Sequence, residues 1–227
     1  METLAQIPFE LNAETLMARV RVESESDDAR AFEALLAMAR GAGRPKALYR
    51  ECFIEAKGDA TVTIAGVTFT SRALRMNLDK VERVFAFVIT CGREMDEVRL
   101  PAGEFLVEFW WDAIKAELLN AARAHLAAHL DRRFRLGKAS AMSPGSGDVD
   151  TWPIEQQREL FSLLGDVRGA IGVELTDSFL MVPNKTVSGL RFPAETDFRT
   201  CQVCRREVCP NRAAPFDRAL WESIQHE

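Results

Sequence analysis

A single long helical pattern constrains this chain more than any other feature of its sequence. It runs from Glu104 to Leu136, and four apolar residues recur along it at spacings of four, which places them on one face: Leu118, Ala122, Leu126 and Leu130. Gly137 is suited to end the helix, because glycine adopts the left-handed conformation at helix C-termini without strain. A helix with one apolar face must bury that face against a second layer. The rest of the chain must therefore supply a long apolar surface.

Alternating segments predict that this second layer is an antiparallel β-sheet. Leu48 to Glu55 and Val84 to Thr90 have the apolar and β-branched composition of strands. Residues 62–69 alternate between apolar side chains and threonine around Ala65 and Gly66, as in a β-hairpin. The first half of the chain therefore predicts at least four strands.

The C-terminal half adds shorter elements. Pro153 to Leu164 predict a short amphipathic helix, and Ser140 to Asp150, rich in Ser, Gly, Pro and Asp, predict a loop. Two further strands are predicted within residues 171–192, joined by a turn at 182–185. A last turn of helix is predicted near Asp217 to Ile224.

Together these elements predict the α+β class: an antiparallel twisted sheet with packed helices, one of them long. No strand leads through a glycine-rich phosphate loop into a helix, which argues against a dinucleotide or nucleoside-triphosphate fold. Residues 1–195 are expected to form one domain. Residues 196–227 are expected to form a cysteine-rich metal-binding or cluster-binding tail packed on that domain.

Composition narrows the class of partner. The 227 residues carry a net charge of -5, which argues against a nucleic acid held by phosphate neutralisation. No stretch approaches the length of an apolar membrane span, so no membrane association is expected. Met1 to Phe9 lack the basic start and apolar run of a signal peptide, so we expect a cytoplasmic protein.

Three of the five cysteines crowd into nine residues near the C-terminus, as Cys201-x2-Cys204-x4-Cys209 followed by Pro210. Without a secretion signal, this spacing indicates metal binding rather than disulfides. Soft thiolates select zinc, copper(I) or iron–sulfur clusters. A closely spaced run ending in Cys-Pro is similar to ferredoxin-type cluster binding, although the spacing differs. Three arginines nearby would offset the charge of a thiolate-bound cluster: Arg205, Arg206 and Arg212.

A fourth ligand has to come from elsewhere. Cys91 is the first candidate because it follows a predicted strand and precedes a glycine, and Cys52 is the second, although Cys52 lies within a strand. An iron–sulfur cluster is the favoured occupant, and zinc is the alternative. His125 and His129 lie four apart on the long helix, but their surroundings favour a position on the surface or at the edge of the core.

Residues 140–192 carry a series of motifs that resembles a known family. In chain order they are Ser143-Pro144-Gly145-Ser146-Gly147, Trp152-Pro153-Ile154, Leu160-Phe161-Ser162-Leu163-Leu164, Leu175-Thr176-Asp177-Ser178, Met181-Val182-Pro183 and Val187-Ser188-Gly189. This order resembles the reactivation (activation) domain of cobalamin-dependent methionine synthase. The tail after residue 200 is not part of that domain and looks like free-standing relatives of it.

The resemblance implies a partner and a role. It implies docking on the cobalamin-binding domain of a methionine synthase or another corrinoid protein, and return of inactive cobalt to the active state. Reduction of the cobalt is then trapped by a methyl group from S-adenosylmethionine. The residues implied to face the cofactor lie in the 143–147 loop and the 181–188 segment: Pro144, Gly145, Ser146, Met181, Pro183, Lys185 and Ser188.

Two departures from the family concern S-adenosylmethionine. Ala141 stands where the family has the arginine that grips the ligand's carboxylate, and Ser146 stands at its tyrosine. A methyl group cannot replace a guanidinium, so we expect S-adenosylmethionine not to bind in the family's way. The resulting hypothesis is a reductive activator with a cluster held by Cys201, Cys204 and Cys209. The alternatives are a docking module or chaperone with structural zinc, and an S-adenosylmethionine-binding domain with an altered pocket.

Overall fold

The computed structural model of the chain describes residues 1–101, 103–195, 198–209 and 212–226. Pro210 of the cysteine motif and the first residues of the predicted tail, 196–197, lie outside these ranges. The strands are β1 (Glu2–Leu4), β2 (Lys46–Lys57), β3 (Thr61–Ile64), β4 (Val67–Thr70), β5 (Arg83–Thr90), β6 (Ala139–Met142), β7 (Glu174–Leu175), β8 (Met181–Val182) and β9 (Thr186–Pro193). The helices are α1 (Ala13–Val20), α2 (Asp27–Ala42), α3 (Arg72–Asn77), α4 (Phe105–Phe134), α5 (Gln157–Leu164), α6 (Val167–Ile171) and α7 (Arg218–His226).

The main sheet is antiparallel and has the strand order β4-β3-β2-β5-β9-β6, with β1 paired to the first part of β2. Strand β9 lies between β5 and β6 although it comes last in the chain, and it pairs antiparallel with both. Strands β7 and β8 form a separate two-stranded ribbon. The α+β class with an antiparallel sheet and one long helix is therefore confirmed.

The sheet is covered on both faces. Phe85, Phe87 and Ile89 of β5 lie in a buried cluster with α4, and Val84, Ala86 and Val88 lie in another with α5 and α6. Successive side chains of a strand point to opposite faces, so a strand buried on both sides is a continuous apolar run. This explains why β5 contains almost no polar residue. None of the helices in the described ranges is long and apolar enough to cross a membrane.

The predicted long helix and hairpin are present. Helix α4 has 30 residues and ends at Phe134. The next residue, Arg135, caps it in the left-handed conformation, two residues before the predicted stop at Gly137. The β3–β4 hairpin turns at Ala65 and Gly66, both with positive φ. His129 contacts the Tyr49 hydroxyl at 3.0 Å, and that hydroxyl donates to Glu2 at 2.8 Å, so this histidine helps to hold β1 against α4.

Two local predictions were wrong. Residues 140–142 belong to strand β6 and not to a loop: Ser140 and Met142 are buried and pair with β9. Ser140 and Ala141 have small side chains, which conceal the alternation on which a strand prediction depends. The predicted strand pair in 171–192 is also different, because Ile171 ends helix α6 and only β9 is a long strand. An apolar run this short fits a helix end as well as a strand.

The end of the chain packs against the buried cluster that contains α5 and α6. Val203 and Ile224 are buried there beside Leu74 and Leu78, which follow from helix α3. The helix predicted near Asp217 to Ile224 is present as α7. The segment that carries Cys201, Cys204 and Cys209, which we call the cysteine segment, is thereby held by apolar contacts against helices that cover the main sheet.

Gly189→Ala is expected to destabilise the junction between β9 and β6. A Cβ at this position would overlap the Met142 carbonyl oxygen and lie 2.8 Å from Ser143 Oγ. Forcing an atom into packed backbone costs about 1–3 kcal/mol. The free energy of unfolding, measured in urea, should fall by that amount. Gly41→Ala is the control: it lies in α2 with open space around it and should leave stability equal or slightly higher.

Candidate functional site

The cysteine segment forms a loop that is closed at its base. One 3-10 turn, Thr200–Val203, begins it, and the Gln202 side chain accepts the Arg199 backbone N–H at 2.8 Å. The Gln202 carbonyl then accepts the Asp217 N–H at 2.7 Å, just before helix α7. Both ends of the loop therefore meet at one residue, as in compact surface loops that pack on themselves.

Arg212 organises the interior of this loop. Its guanidinium donates to the carbonyl oxygens of Cys201 at 3.1 Å and Cys204 at 3.3 Å, and also to that of Arg206. A planar guanidinium has five donors in a fixed geometry, so it can bind several carbonyls at once. The backbone that carries Cys201 and Cys204 is thus held by hydrogen bonds to one guanidinium, that of Arg212.

The three sulfur atoms have different environments. Cys204 is buried and its Sγ lies 3.6 Å from Asp148 Oδ1. Cys201 is half-buried, and its Sγ accepts the Ala213 N–H at 3.4 Å. Cys209 is half-buried. Within the described ranges, no group of three or more His, Cys, Asp or Glu side chains is arranged to hold a metal ion. The three thiols therefore lie in one loop, but they do not converge on a single point.

Asp148 joins this loop to the preceding domain. Its Oδ2 accepts the Arg205 backbone N–H at 3.1 Å and the Arg205 Nε at 2.9 Å. Burial on its own would raise the pKa of Asp148, but hydrogen bonds from Arg205 and Cys204 lower that pKa overall. The carboxylate is therefore held in its charged form next to a cysteine sulfur. Asp148 could not be predicted from the sequence, because it is far from the cysteines in the chain.

The predicted cofactor loop lies directly against the cysteine segment. A Cβ at Gly147 would lie 2.7 Å from Thr200 Cγ2, next to Cys201. Pro144 is buried, whereas Gly145 and Ser146 are exposed, and the Gly145 N–H donates to the Trp152 carbonyl at 2.8 Å. These two motifs are distant in the sequence, and the fold makes them neighbours.

The 181–188 segment divides into structural and accessible residues. Pro183 is buried after a cis peptide bond, and its carbonyl accepts the Thr186 hydroxyl at 2.7 Å. Ser188 is buried and donates to Gln157 Oε1 at 2.7 Å, which joins β9 to α5. Met181 is half-buried against the core. Pro183 and Ser188 therefore hold the fold, and neither side chain is open to a ligand.

Lys185 is partly exposed, and its Nζ forms a 2.8 Å ion pair with Asp112 of α4. On the next turn of α4, Lys115 Nζ lies 3.3 Å from Asn184 Oδ1. These contacts place the 180–185 turn beside the start of the long helix. Several apolar side chains at this end of the molecule are exposed, and we call them the apolar end: Phe105, Leu106, Phe109, Leu180 and Val182.

Cys91, the first candidate for the fourth ligand, lies far from the tail thiols. Cys91 follows the last residue of β5 and is fully buried with α2 and α4. Gln202 of the tail loop instead lines a cavity with Arg83, the first residue of β5. An eight-residue strand spans roughly 25 Å, so the structure does not bring Cys91 to Cys201. Cys52 is buried among apolar residues, and burial raises its pKa.

Comparison with known proteins supports the fold of the chain and shows no other property of it. No family model matches the sequence, and no curated protein matches it. Among solved structures, the chain is similar to a crystal structure of the MetH reactivation domain bound to AdoHcy, with a TM-score of 0.57. It has the fold of that domain. The likeness covers 87% of this chain and 80% of the other, at 14% sequence identity. The predicted resemblance is therefore confirmed for the fold, and the cysteine tail stays outside what the comparison shows.

Rates of alkylation should distinguish the accessible thiols from the buried ones. Burial raises the pKa of Cys91 to about 12, so its reactive thiolate is scarce at neutral pH. In metal-free native protein, iodoacetamide should label Cys201 and Cys209 first, and Cys91 and Cys52 only after unfolding. Mass spectrometry of peptides reads the order. Fast labelling of Cys91 in folded protein would contradict its buried position.

Proposed function

We propose that this chain docks on a corrinoid-bearing protein, such as the cobalamin-binding domain of a methionine synthase, and returns its cobalt to the active state. The observation that carries the proposal is the shared fold with a domain whose name records reactivation of MetH. The predicted cofactor-facing loop of that fold, with Gly145 and Ser146 exposed, lies against the cysteine segment. A partner that binds this loop would lie next to the tail.

The tail cysteines are proposed to bind a metal, in the first instance an iron–sulfur cluster with Cys201, Cys204 and Cys209 as ligands. When bound, such a cluster would supply one electron at low potential. That electron would be the one that reduction of the partner's cob(II)alamin to cob(I)alamin requires, and a methyl group from S-adenosylmethionine, which would leave as S-adenosylhomocysteine, would trap the reduced cobalt. The Ala213 N–H already donates to the Cys201 sulfur, as outer-shell donors do to the thiolate ligands of metal sites.

A docking module with structural zinc is the second candidate. Zinc accepts mixed thiolate and carboxylate ligands in a tetrahedral site. Asp148 Oδ1 already lies 3.6 Å from the Cys204 sulfur, and the second Asp148 oxygen is held by Arg205. A zinc ion held by the three tail cysteines would then take Asp148 as its fourth ligand. In that case the chain would stabilise or position the corrinoid protein and carry no electron.

The deciding experiment starts with protein purified without oxygen. Its visible spectrum, iron, acid-labile sulfide and zinc contents are measured. It is then mixed with a cob(II)alamin-loaded methionine synthase fragment, S-adenosylmethionine and dithionite. Conversion of the cobalamin spectrum to the methylcobalamin form, only with this chain present, is the result expected. An iron-free protein with about one zinc that still binds the fragment would select the second candidate. Absence of any binding to the corrinoid fragment would overturn both.

A further inference from the structure

Two of the tail cysteines lie three residues apart on a single turn of 3-10 helix. The turn comprises Thr200–Val203, and the Cys204 N–H donates to the Cys201 carbonyl at 3.4 Å. Side chains at this spacing eclipse one another, and their Cα atoms are about 6 Å apart, because each residue rises about 2 Å. Cysteines joined by a disulfide have Cα atoms about 4.4–6.8 Å apart. The backbone therefore has the spacing that a bond between Cys201 and Cys204 requires.

Arg212 fixes this spacing from the other side of the loop. Its guanidinium donates to the Cys201 carbonyl at 3.1 Å and to the Cys204 carbonyl at 3.3 Å. Because these N–H groups belong to one rigid, planar group, the backbone positions of the two cysteines are held relative to each other. Neither bond involves a sulfur atom, so both can persist when the sulfur atoms change partners.

The two cysteines differ in access, which gives them different roles. Cys201 is half-buried, whereas Cys204 is only 8% exposed and its Sγ faces Asp148. Thiol–disulfide exchange starts with attack by one thiolate and passes through a mixed disulfide, which a second thiol resolves. A small disulfide in solution reaches the more accessible sulfur first. Cys201 is therefore placed to attack, and Cys204 to resolve.

We propose that Cys201 and Cys204 form a disulfide with each other when the tail holds no metal, by exchange with a low-molecular-weight disulfide such as oxidised glutathione, and that this bond keeps metal out. The Cys201 sulfur bonds to one half of the small disulfide and releases the other half as a thiol. The Cys204 sulfur then attacks the Cys201 sulfur and releases the second thiol. Two cysteine thiols are oxidised, one small disulfide is reduced, and the two cysteine protons end on the released thiols.

Such a bond would be reversible. A disulfide that closes a short loop restricts the unfolded chain little and adds little stability. Disulfides inside reducing compartments are transient and serve catalysis or redox sensing. The exclusion of metal rests on the proposed function, because thiolates are the metal ligands and a disulfide sulfur is no longer a thiolate. The tail would then load metal only under reducing conditions.

Mass spectrometry of the full chain tests the bond directly. Reduced, metal-free protein is incubated with oxidised glutathione and quenched in acid, and the remaining thiols are labelled with N-ethylmaleimide. Trypsin cleaves after Arg199 and Arg205, so the peptide 200–205 contains both cysteines of the turn, and Cys209 falls in another peptide. The 200–205 peptide should become lighter by two hydrogen atoms and carry no label, and dithiothreitol should restore labelling.

Single variants test the two roles. Cys204→Ser should stop at the mixed disulfide, with glutathione attached to Cys201. Cys201→Ser leaves only the buried Cys204 in the turn, so glutathione should attach to Cys204 at least about tenfold more slowly. Cys209→Ser is the matched control, because Cys209 lies outside the turn, and it should form the same bond as the wild type. Equal rates in the first two variants would overturn the assignment of roles.

Metal uptake tests the second half of the proposal. Zinc chloride, or ferrous iron with sulfide in a separate sample, is added without oxygen to the reduced and the oxidised chain, and bound metal is measured after gel filtration. Only the reduced chain should retain metal. Bonds to Cys209, bonds between chains, or no bond would overturn the thiol pair, and full metal content in the oxidised chain would overturn the exclusion. A reduced chain that forms the bond but takes up neither metal supports the thiol pair and overturns the metal site of the proposed function.

Discussion

Cys204→Ser purified without oxygen is expected to lose almost all of its metal. Cys204 is the most buried of the three tail cysteines and the one in contact with Asp148. Removing even an outer partner of a metal site costs 10- to 100-fold in affinity, so loss of a ligand should exceed about 100-fold. Iron, sulfide and zinc measured per chain should fall to background. Because metal binding of this kind is coupled to folding, the tail should also become more sensitive to protease.

Cys91→Ala is the matched control for this experiment. Cys91 is equally a cysteine, but it is buried with α2 and α4 at the far end of β5. Its replacement should leave metal content unchanged. Full metal content in Cys204→Ser would remove Cys204 from the ligand set, whereas metal loss in Cys91→Ala would restore the distant cysteine as a ligand.

Phe109→Glu and Leu180→Glu are expected to break docking on the corrinoid protein. Both side chains belong to the apolar end, and Leu180 is 59% exposed. Interface positions that matter cost about 2 kcal/mol or more when lost, which is roughly 30-fold in affinity for each. Burying a carboxylate opposite an apolar partner adds to this loss. The dissociation constant for a cob(II)alamin-loaded partner fragment, measured by titration, reports the effect.

Phe53→Glu is the control for the docking surface. Phe53 is also 59% exposed, but it pairs with Arg83 at the opposite end of β5. It should leave docking unchanged. Neither apolar-end variant should alter metal content, since the tail lies elsewhere. Docking at wild-type strength in both variants would exclude the apolar end from the interface. Lys185 is a poorer probe, because its ion pair with Asp112 supports the fold.

Local periodic patterns in the sequence predict most of the helices and strands of the fold. The four-residue spacing of Leu118, Ala122, Leu126 and Leu130 identified α4, and threonine alternation identified the β3–β4 hairpin. Strand β6 was not predicted because Ser140 and Ala141 have small side chains that give no hydrophobic signal. The position of β9 between β5 and β6 is a long-range pairing, and local patterns carry no information about it.

The candidate site was predictable only in part. Clustering of Cys201, Cys204 and Cys209 is visible in the sequence, because ligand spacing is local. Asp148 acts on Cys204 and Arg205, which are distant from it in the chain, so only the folded structure reveals its role. The resemblance also implies that Ser188 and Pro183 face a cofactor. In the structure both are buried and take part in internal hydrogen bonds, which a motif in the sequence cannot reveal.

The place of β9 in the sheet also bears on how this chain is made. Phe85 pairs with Arg191, which the ribosome adds about a hundred residues later, or roughly 5–20 s later at ordinary rates of synthesis. During that interval β5 has an unpaired, strongly apolar edge. Such edges pair with other chains, and non-local pairing slows folding. Recovery of native protein will therefore depend on expression temperature and nascent-chain concentration more than on the stability of the finished fold.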